Sequence, residues 1–338
     1  MNNSISKRIL FTVLCFAILF TAAAQEVSLS GRQLQVNGTP YTIKGVCYHP
    51  VSRGETQRSF EHLDRDLQLM QEAGINTVRV YEPVADSMVL DKLYEAGIRV
   101  IVGFGYNQNG QFDILSETCL DYVRTYKDHP AILFWELGNE YNYHPEWFGG
   151  DINTWYKALN TMADKIQGID QDHPVATAHG ELPSAEILEK CPAVDIWGMN
   201  IYRWDNPQEL FSQWEAISEK PMYISEAGAD SYMTVAAQGY EEGKNEKAQA
   251  DALQKILTQV LEHEEVNLGV AVFSFVDEWW KAGNPSQQDK GGWAPGSSGV
   301  PYDRTPNEEY WGIIDIDRQK KEAYYILKTL FTNNTKTN

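Results

Sequence analysis

From Tyr41 onward the chain repeats one rhythm: a short apolar run, a polar loop, then a stretch with apolar positions every three or four residues. The short runs predict strands at 41–47, 77–81, 100–104, 132–136, 175–178, 196–200, 222–226 and 270–275. The amphipathic stretches predict helices at 59–73, 87–96, 114–127, 152–169, 185–190, 207–218, 247–263 and 320–330. Two of these helices end in the same punctuation, Glu72-Ala73-Gly74-Ile75 and Glu95-Ala96-Gly97-Ile98, with glycine placed to close a helix before the next strand. Strands alternating with helices predict an α/β fold with a parallel sheet. Eight such units in about 290 residues predict a single (β/α)8 TIM barrel.

Upstream of that rhythm, residues 26–36 alternate polar and apolar, and Asn37-Gly38 supplies a turn. A small N-terminal β-hairpin over 29–36 is therefore expected as a lid on the bottom of the barrel. No linker or low-complexity run divides residues 25–332, so one domain is expected there, followed by a frayed tail at 333–338. The one long irregular stretch is 281–310, rich in Gly, Pro, Ser and Trp. Loops of that length are uncommon unless they carry function, and this one follows the eighth strand.

The first 24 residues depart from the pattern. Lys7 and Arg8 precede an apolar run at 9–20, and Ala22-Ala23-Ala24 offers a small-residue cleavage site. That is the arrangement of a signal peptide, so a secreted or periplasmic protein is expected. The run is short for a membrane span, and no later segment is suited to one. A formal net charge of −19 argues against nucleic acid or an anionic membrane surface as partner. Cleavage leaves Cys47, Cys119 and Cys191, with no CxxC pair and no Cys/His metal spacing, and these are read as buried free thiols, with one disulfide at most as the alternative. Asp315 and Asp317 lack the spacing of a calcium loop. No metal and no cofactor is expected.

The chemistry concentrates in Phe134-Trp135-Glu136-Leu137-Gly138-Asn139-Glu140, an apolar strand running into a Gly-Asn-Glu turn. A carboxylate just past the end of a buried strand is hard to explain by packing, because a lone charge is costly away from water. Pro221-Met222-Tyr223-Ile224-Ser225-Glu226-Ala227-Gly228 has the same form. Counted along the chain, Glu140 follows strand four and Glu226 ends strand seven, so both should open onto the face where barrel active sites lie. Paired carboxylates facing one cleft are the equipment of glycosidic-bond hydrolysis. Glu136 alternates with Phe134 and is read as an interior hydrogen-bonding group. Arg79 alternates with Val78 and Val80, so it should point into the barrel beside Tyr81.

The sequence resembles the clan of retaining glycoside hydrolases built on a (β/α)8 barrel. Within it the nearest likeness is to the barrel domain of the beta-galactosidase/beta-glucuronidase group, with a fainter one to beta-1,3-glucanosyltransferases. The matching stretches are Lys44-Gly45-Val46-Cys47-Tyr48-His49, Gly74-Ile75-Asn76-Thr77-Val78-Arg79, Trp135-Glu136-Leu137-Gly138-Asn139-Glu140 and Tyr223-Ile224-Ser225-Glu226. The resemblance implies that Glu140 is the acid/base and Glu226 the nucleophile, with Asn139 holding the sugar 2-hydroxyl. It further implies that Tyr202 donates a hydrogen bond to Glu226, and that Arg79 favours the charged form of Glu226. His179, Tyr48 and His49 are expected as polar groups of the subsites. Trp279 or Trp280 is expected as the aromatic floor under the sugar, with Trp204, Trp293 and Trp311 building further subsites.

One departure from the group is that no β-sandwich fits before the barrel. An open cleft is then expected, favouring internal cleavage. The function expected is a secreted retaining β-glycoside hydrolase acting on a β-linked hexose poly- or oligosaccharide, with an endo-acting β-1,3-glucanase as the finer expectation. The alternatives are a β-glucan transglycosylase and a catalytically dead carbohydrate-binding barrel.

Overall fold

A computed structural model describes residues 26–106, 111–292 and 301–333. The expected signal peptide at 1–24, residues 334–338 of the expected tail at 333–338, and Trp293 lie outside the described residues, whereas Asn333 is helical. Three short strands open the chain: β1 (Val27–Ser30), β2 (Gln33–Val36) and β3 (Thr39–Pro40), paired antiparallel. The β1–β2 turn falls at Gly31-Arg32. Asn37-Gly38 instead joins β2 to β3, both residues taking positive φ (52° and 72°), so the hairpin gains a third strand.

The barrel follows as β4 (Ile43–Cys47), β5 (Thr77–Val80), β6 (Arg99–Phe104), β7 (Ile132–Asn139), β8 (Val175–Gly180), β9 (Ile196–Asn200) and β10 (Met222–Ala227). Beyond them β11 (Tyr232–Met233) and β12 (Gly243–Lys244) make a hairpin, and β13 (Asn267–Val272) pairs with β10 and β4 to close the ring. All eight barrel strands are parallel. Covered by side chains within and helices without, they are almost wholly buried, which is why they read as apolar runs rather than alternations.

The helices are α1 (Leu63–Glu72), α2 (Ser87–Glu95), α3 (Cys119–Tyr126), α4 (Asn153–Gln167), α5 (Ala185–Lys190), α6 (Glu209–Ile217), α7 (Glu246–Leu261) and α8 (Glu322–Asn333). Gly74 and Gly97 close α1 and α2 with φ of 74° and 77°. The next amide in each case, Ile75 or Ile98, donates back to Met70 or Leu93, which spends a carbonyl the helix end would leave bare.

The barrel interior changes character from bottom to top. At the bottom Val27, Leu34 and Val36 of the small sheet join Ile43, Ile101, Leu133, Phe134 and Ile196 in one apolar cluster, so the sheet plugs that end. Above it the interior turns polar, around a fully buried Arg79. Cys47, Cys119 and Cys191 are free and buried. Among the described residues no helix is long and apolar enough to cross a membrane.

Candidate active site

Two irregularities in the strands aim the site. The β7–β8 register skips a residue between Leu137 and Asn139, leaving Gly138 as the extra residue of a bulge. Gly138 has φ of 73°, and a Cβ there would lie 2.6 Å from the Trp155 ring, so only glycine fits. Glu140 next takes φ of 56° with its amide donating to the Ala178 carbonyl at 2.9 Å. A left-handed glutamate is an uncommon, strained conformation, and here it stands directly past the C-terminal end of β7. A second register shift between Ile224 and Glu226 of β10 re-aims Glu226 in the same way.

Arg79 is the hub that joins the strands. Its Nε donates to Glu136 Oε1 at 2.7 Å, its Nη1 to Glu226 Oε1 at 2.8 Å, and its Nη2 to Asn139 Oδ1 at 2.8 Å. Glu136 also accepts from the Tyr223 hydroxyl, so both its oxygens are spent inside the barrel. Glu226 is nearly buried and takes two further donors, Tyr81 on Oε1 at 2.7 Å and Tyr202 on Oε2 at 2.9 Å. Asn139 Oδ1 accepts from Asn200 Nδ2 at 3.1 Å as well as from Arg79. With Oδ1 engaged twice, the Nδ2 donors of Asn139 stay outside that network.

Glu140 differs from Glu226 in pairing with no cation among the described residues. Burial pushes its carboxyl up to about 7, the charge of Glu226 adds to the rise, and a hydrogen bond with Asn200 opposes it. Two carboxyls at one mouth, one clasped by a guanidinium and two phenols and one holding its proton to near neutrality, can divide the roles of anion and proton donor.

The other expected residues are placed unevenly. Tyr48 is a correction: it is fully buried, its hydroxyl donates to Asp66 at 2.8 Å, and its ring packs on Phe275, in the layer between strands and helices. The parallel pleat turned it outward from Cys47. His179 is another, since its Nε2 meets the Tyr156 hydroxyl at 3.1 Å and its Nδ1 the Glu181 carbonyl at 2.8 Å, leaving neither nitrogen for a sugar. His49 packs against Trp280 with ring centroids 5.3 Å apart, and burial pushes its imidazole down to about 3. Trp279 lies under the Arg53 guanidinium at 4.3 Å. The aromatics that pack with Tyr81 and Tyr202 are instead Phe273, directly after β13, and Trp311, 5.4 Å from Tyr202. Trp204 sits apart, against Tyr302.

Sequence reasoning passed over several groups. Tyr81 was expected inside the barrel beside Arg79, two residues along the same face, but not as a donor to Glu226. Asn200 ends β9 beside Glu226. Lys281, Glu278 and Glu308 come from the irregular stretch after β13, where no periodicity marks them. On the short 3-10 turns that follow Glu140, Tyr143 and Trp147 are 55 % and 44 % exposed, and Trp147 stacks on His144 at 3.8 Å. Among the described residues no group of three or more His, Cys, Asp or Glu could hold a metal ion.

Residues 27–292 match the family model described as "Glycosyl hydrolases family 2, TIM barrel domain". A 1,3-beta-glucanosyltransferase of Saccharomyces cerevisiae is 25 % identical over 271 residues, covering 68 % of this chain and 57 % of the relative. A beta-glucuronidase of Sus scrofa is 24 % identical over 285 residues, covering 75 % and 41 %. Among solved structures, a beta-D-glucuronidase of Dictyoglomus thermophilum superposes with a TM-score of 0.67 at 17 % identity, covering 91 % of this chain and 53 % of that one. The chain thus spans about half the length of the relatives it matches, or less.

Proposed function

The chain belongs to glycosyl hydrolase family 2 through its TIM-barrel domain, and from that premise we propose that it is a retaining β-glycoside hydrolase. The observation that carries the reading is the split between Glu140 and Glu226: one carboxyl is raised to about 7 by burial and by the other, which Arg79, Tyr81 and Tyr202 hold. In the first step Glu226 attacks the anomeric carbon while Glu140 gives its proton to the departing oxygen. In the second, Glu140 takes a proton from water, which displaces Glu226 and restores the original anomer. Asn139 Nδ2 donates to the sugar 2-hydroxyl, and Phe273 and Trp311 wall the bound ring.

The substrate we propose is a β-linked hexose oligo- or polysaccharide, with a β-1,3-glucan cut internally as its finest form. Support comes from Tyr143 and Trp147, large exposed aromatics on the turns directly after Glu140. The leaving group departs on the side of its proton donor, so these rings stand where further sugar units would stack. The pattern of residues 1–24 supports export from the cytoplasm. The same rings favour a second reading, transglycosylation, because a sugar acceptor could occupy them in place of water; products longer than the substrate, seen by mass spectrometry, distinguish it. A dead binding barrel is disfavoured by the intact pair of carboxylates.

The reading is tested with Glu226→Ala. Turnover of a 4-nitrophenyl β-glycoside should vanish and return with azide, giving the glycosyl azide of opposite anomeric configuration. Unimpaired turnover in the variant sinks the assignment.

A further inference from the structure

The stretch after β13 brings a third carboxylate to the cleft together with a lysine that is already spoken for. Lys281 Nζ lies 2.8 Å from Glu278 Oε2 and 3.5 Å from Glu308 Oε2. The same ammonium stands 4.2 Å from the centre of the Phe273 ring, which packs with Tyr81 and Tyr202 around Glu226. Glu278 is almost fully buried, whereas the Glu308 side chain keeps 20 % of its surface exposed. Tyr81 and Tyr202 are the phenols that donate to Glu226, so the Lys281–Glu308 pair stands at the mouth where Glu226 opens.

Among the described residues, each cation paired with these carboxylates is divided between two of them: Arg79 between Glu136 and Glu226, Lys281 between Glu278 and Glu308. Arg79 is wholly buried with its donors engaged, so it has nothing to offer a ligand. Residues 107–110 and 293–300 contain no Lys or Arg by sequence. A hexuronate differs from its parent hexose in carrying a carboxylate in place of the C6 hydroxymethyl group. In this cleft that carboxylate would meet the like charges of Glu226 and Glu308, while the two cations that touch them, Arg79 and Lys281, are each shared between two carboxylates already, a situation that disfavours binding. Sugar hydroxyls, by contrast, donate to a carboxylate, and a part-exposed glutamate held by a lysine is a rigid acceptor for them.

We propose that Glu308, oriented by Lys281 and backed by Glu278, is a specificity-determining residue that accepts hydrogen bonds from the hydroxyls of a neutral hexosyl unit and excludes a hexuronate. The inference rests on the retaining-hydrolase reading and adds the class of sugar that the site takes.

The test uses matched 4-nitrophenyl β-glycosides that differ only at C6: glucoside against glucuronide, and galactoside against galacturonide. The wild-type protein should favour one of the neutral sugars over its uronide by at least about a hundredfold in kcat/KM, two tenfold steps of about 1.4 kcal/mol each. Glu308→Gln, which keeps the shape and removes the charge, should raise KM for the neutral sugar about tenfold, a step of about 1.4 kcal/mol. The same variant should narrow the neutral-to-uronide ratio by a similar factor. A purely structural Glu308 would lower activity on both members of a pair alike, and an unchanged ratio overturns the proposal. So does a wild-type preference for either uronide, a result that needs no variant to fold and leaves the retaining mechanism standing. Turnover of none of the four glycosides, with no covalent labelling of the protein, would instead remove the functional reading and this inference with it.

Discussion

The Arg79 guanidinium touches Glu226 through Nη1 at 2.8 Å and does so from a position with no exposed surface at all. A buried ion pair of this kind is tied to what it holds in place rather than to net stability, since desolvating the charges offsets much of their attraction. Its fork spans β5, β7 and β10, the strands that carry Asn139 and Glu226 to the mouth.

Replacing Arg79 by Met should therefore strand Glu136 and Glu226 without a cation. A loss of about 3–5 kcal/mol in urea unfolding is expected, as when one partner of a buried pair is removed. Arg79→Lys keeps the charge but not the planar fork, and should regain part of the stability while leaving activity impaired. A Met variant as stable as wild type would show that the hub does not hold the barrel's polar layer.

The raised carboxyl of Glu140 predicts a pH profile. It must be protonated for the first step, so kcat/KM on a poor leaving group should fall as pH rises through about 7. Glu140→Gln should lower that rate by about 10²–10⁴ and erase the alkaline limb. Steady-state rates from pH 5 to pH 9 on an oligosaccharide check both; an alkaline limb that persists in the variant would assign it to another group.

The same shift has a sign for stability. An acid whose pKa is raised on folding contributes stability below its unfolded pKa and loses it as pH climbs through the folded value. For Glu140 the window runs from the ordinary glutamate range, about 4.3, to about 7. Glu140→Gln stays neutral throughout. Its Tm should thus gain on wild type between pH 5 and pH 8, while Asp277, raised to about 6, and Glu309, raised to about 7, affect both proteins alike. A Tm difference that is flat with pH would contradict the burial ascribed to Glu140.

The exposed rings after Glu140 predict a split by substrate length. Tyr143→Ala with Trp147→Ala should raise KM for a β-glucan oligosaccharide about fivefold, a stacking loss of about 1 kcal/mol. A glycosyl fluoride, whose leaving group is a single atom, should be unaffected. Equal effects on both substrates would move these rings out of the leaving-group side.

Much of this was legible in the sequence, for reasons visible at particular residues. The strand at Ile196–Asn200 and the helix at Ala185–Lys190 match their expected bounds because apolar runs and helical spacing leave no competing pattern there. The last strand did not match: expected at 270–275, it lies at Asn267–Val272. Its apolar run continues through Phe273 and Phe275, but Ser274 and Val276 pair with Trp311 and Ile314 outside the barrel ladder. The third helix begins at Cys119 rather than 114, because Ser116 and Thr118 fold back on Asp113 and Glu117 takes φ of 64°. Within the site, Arg79, Asn139 and Glu226 lie on strands and Glu140 and Tyr202 one or two residues past them, where a period of two and the chain order locate them. Glu308 and Lys281 belong to irregular backbone, and only three-dimensional closure brings them to Phe273.

The most direct test is to trap the intermediate. An activated 2-deoxy-2-fluoro glycoside slows the second step more than the first, so a retaining enzyme accumulates as its glycosyl ester. Peptide mapping by mass spectrometry should find the label on Glu226 alone. A label on Glu140 or Glu308, or a product of inverted configuration with no ester formed, would contradict the assignment of Glu226 as nucleophile.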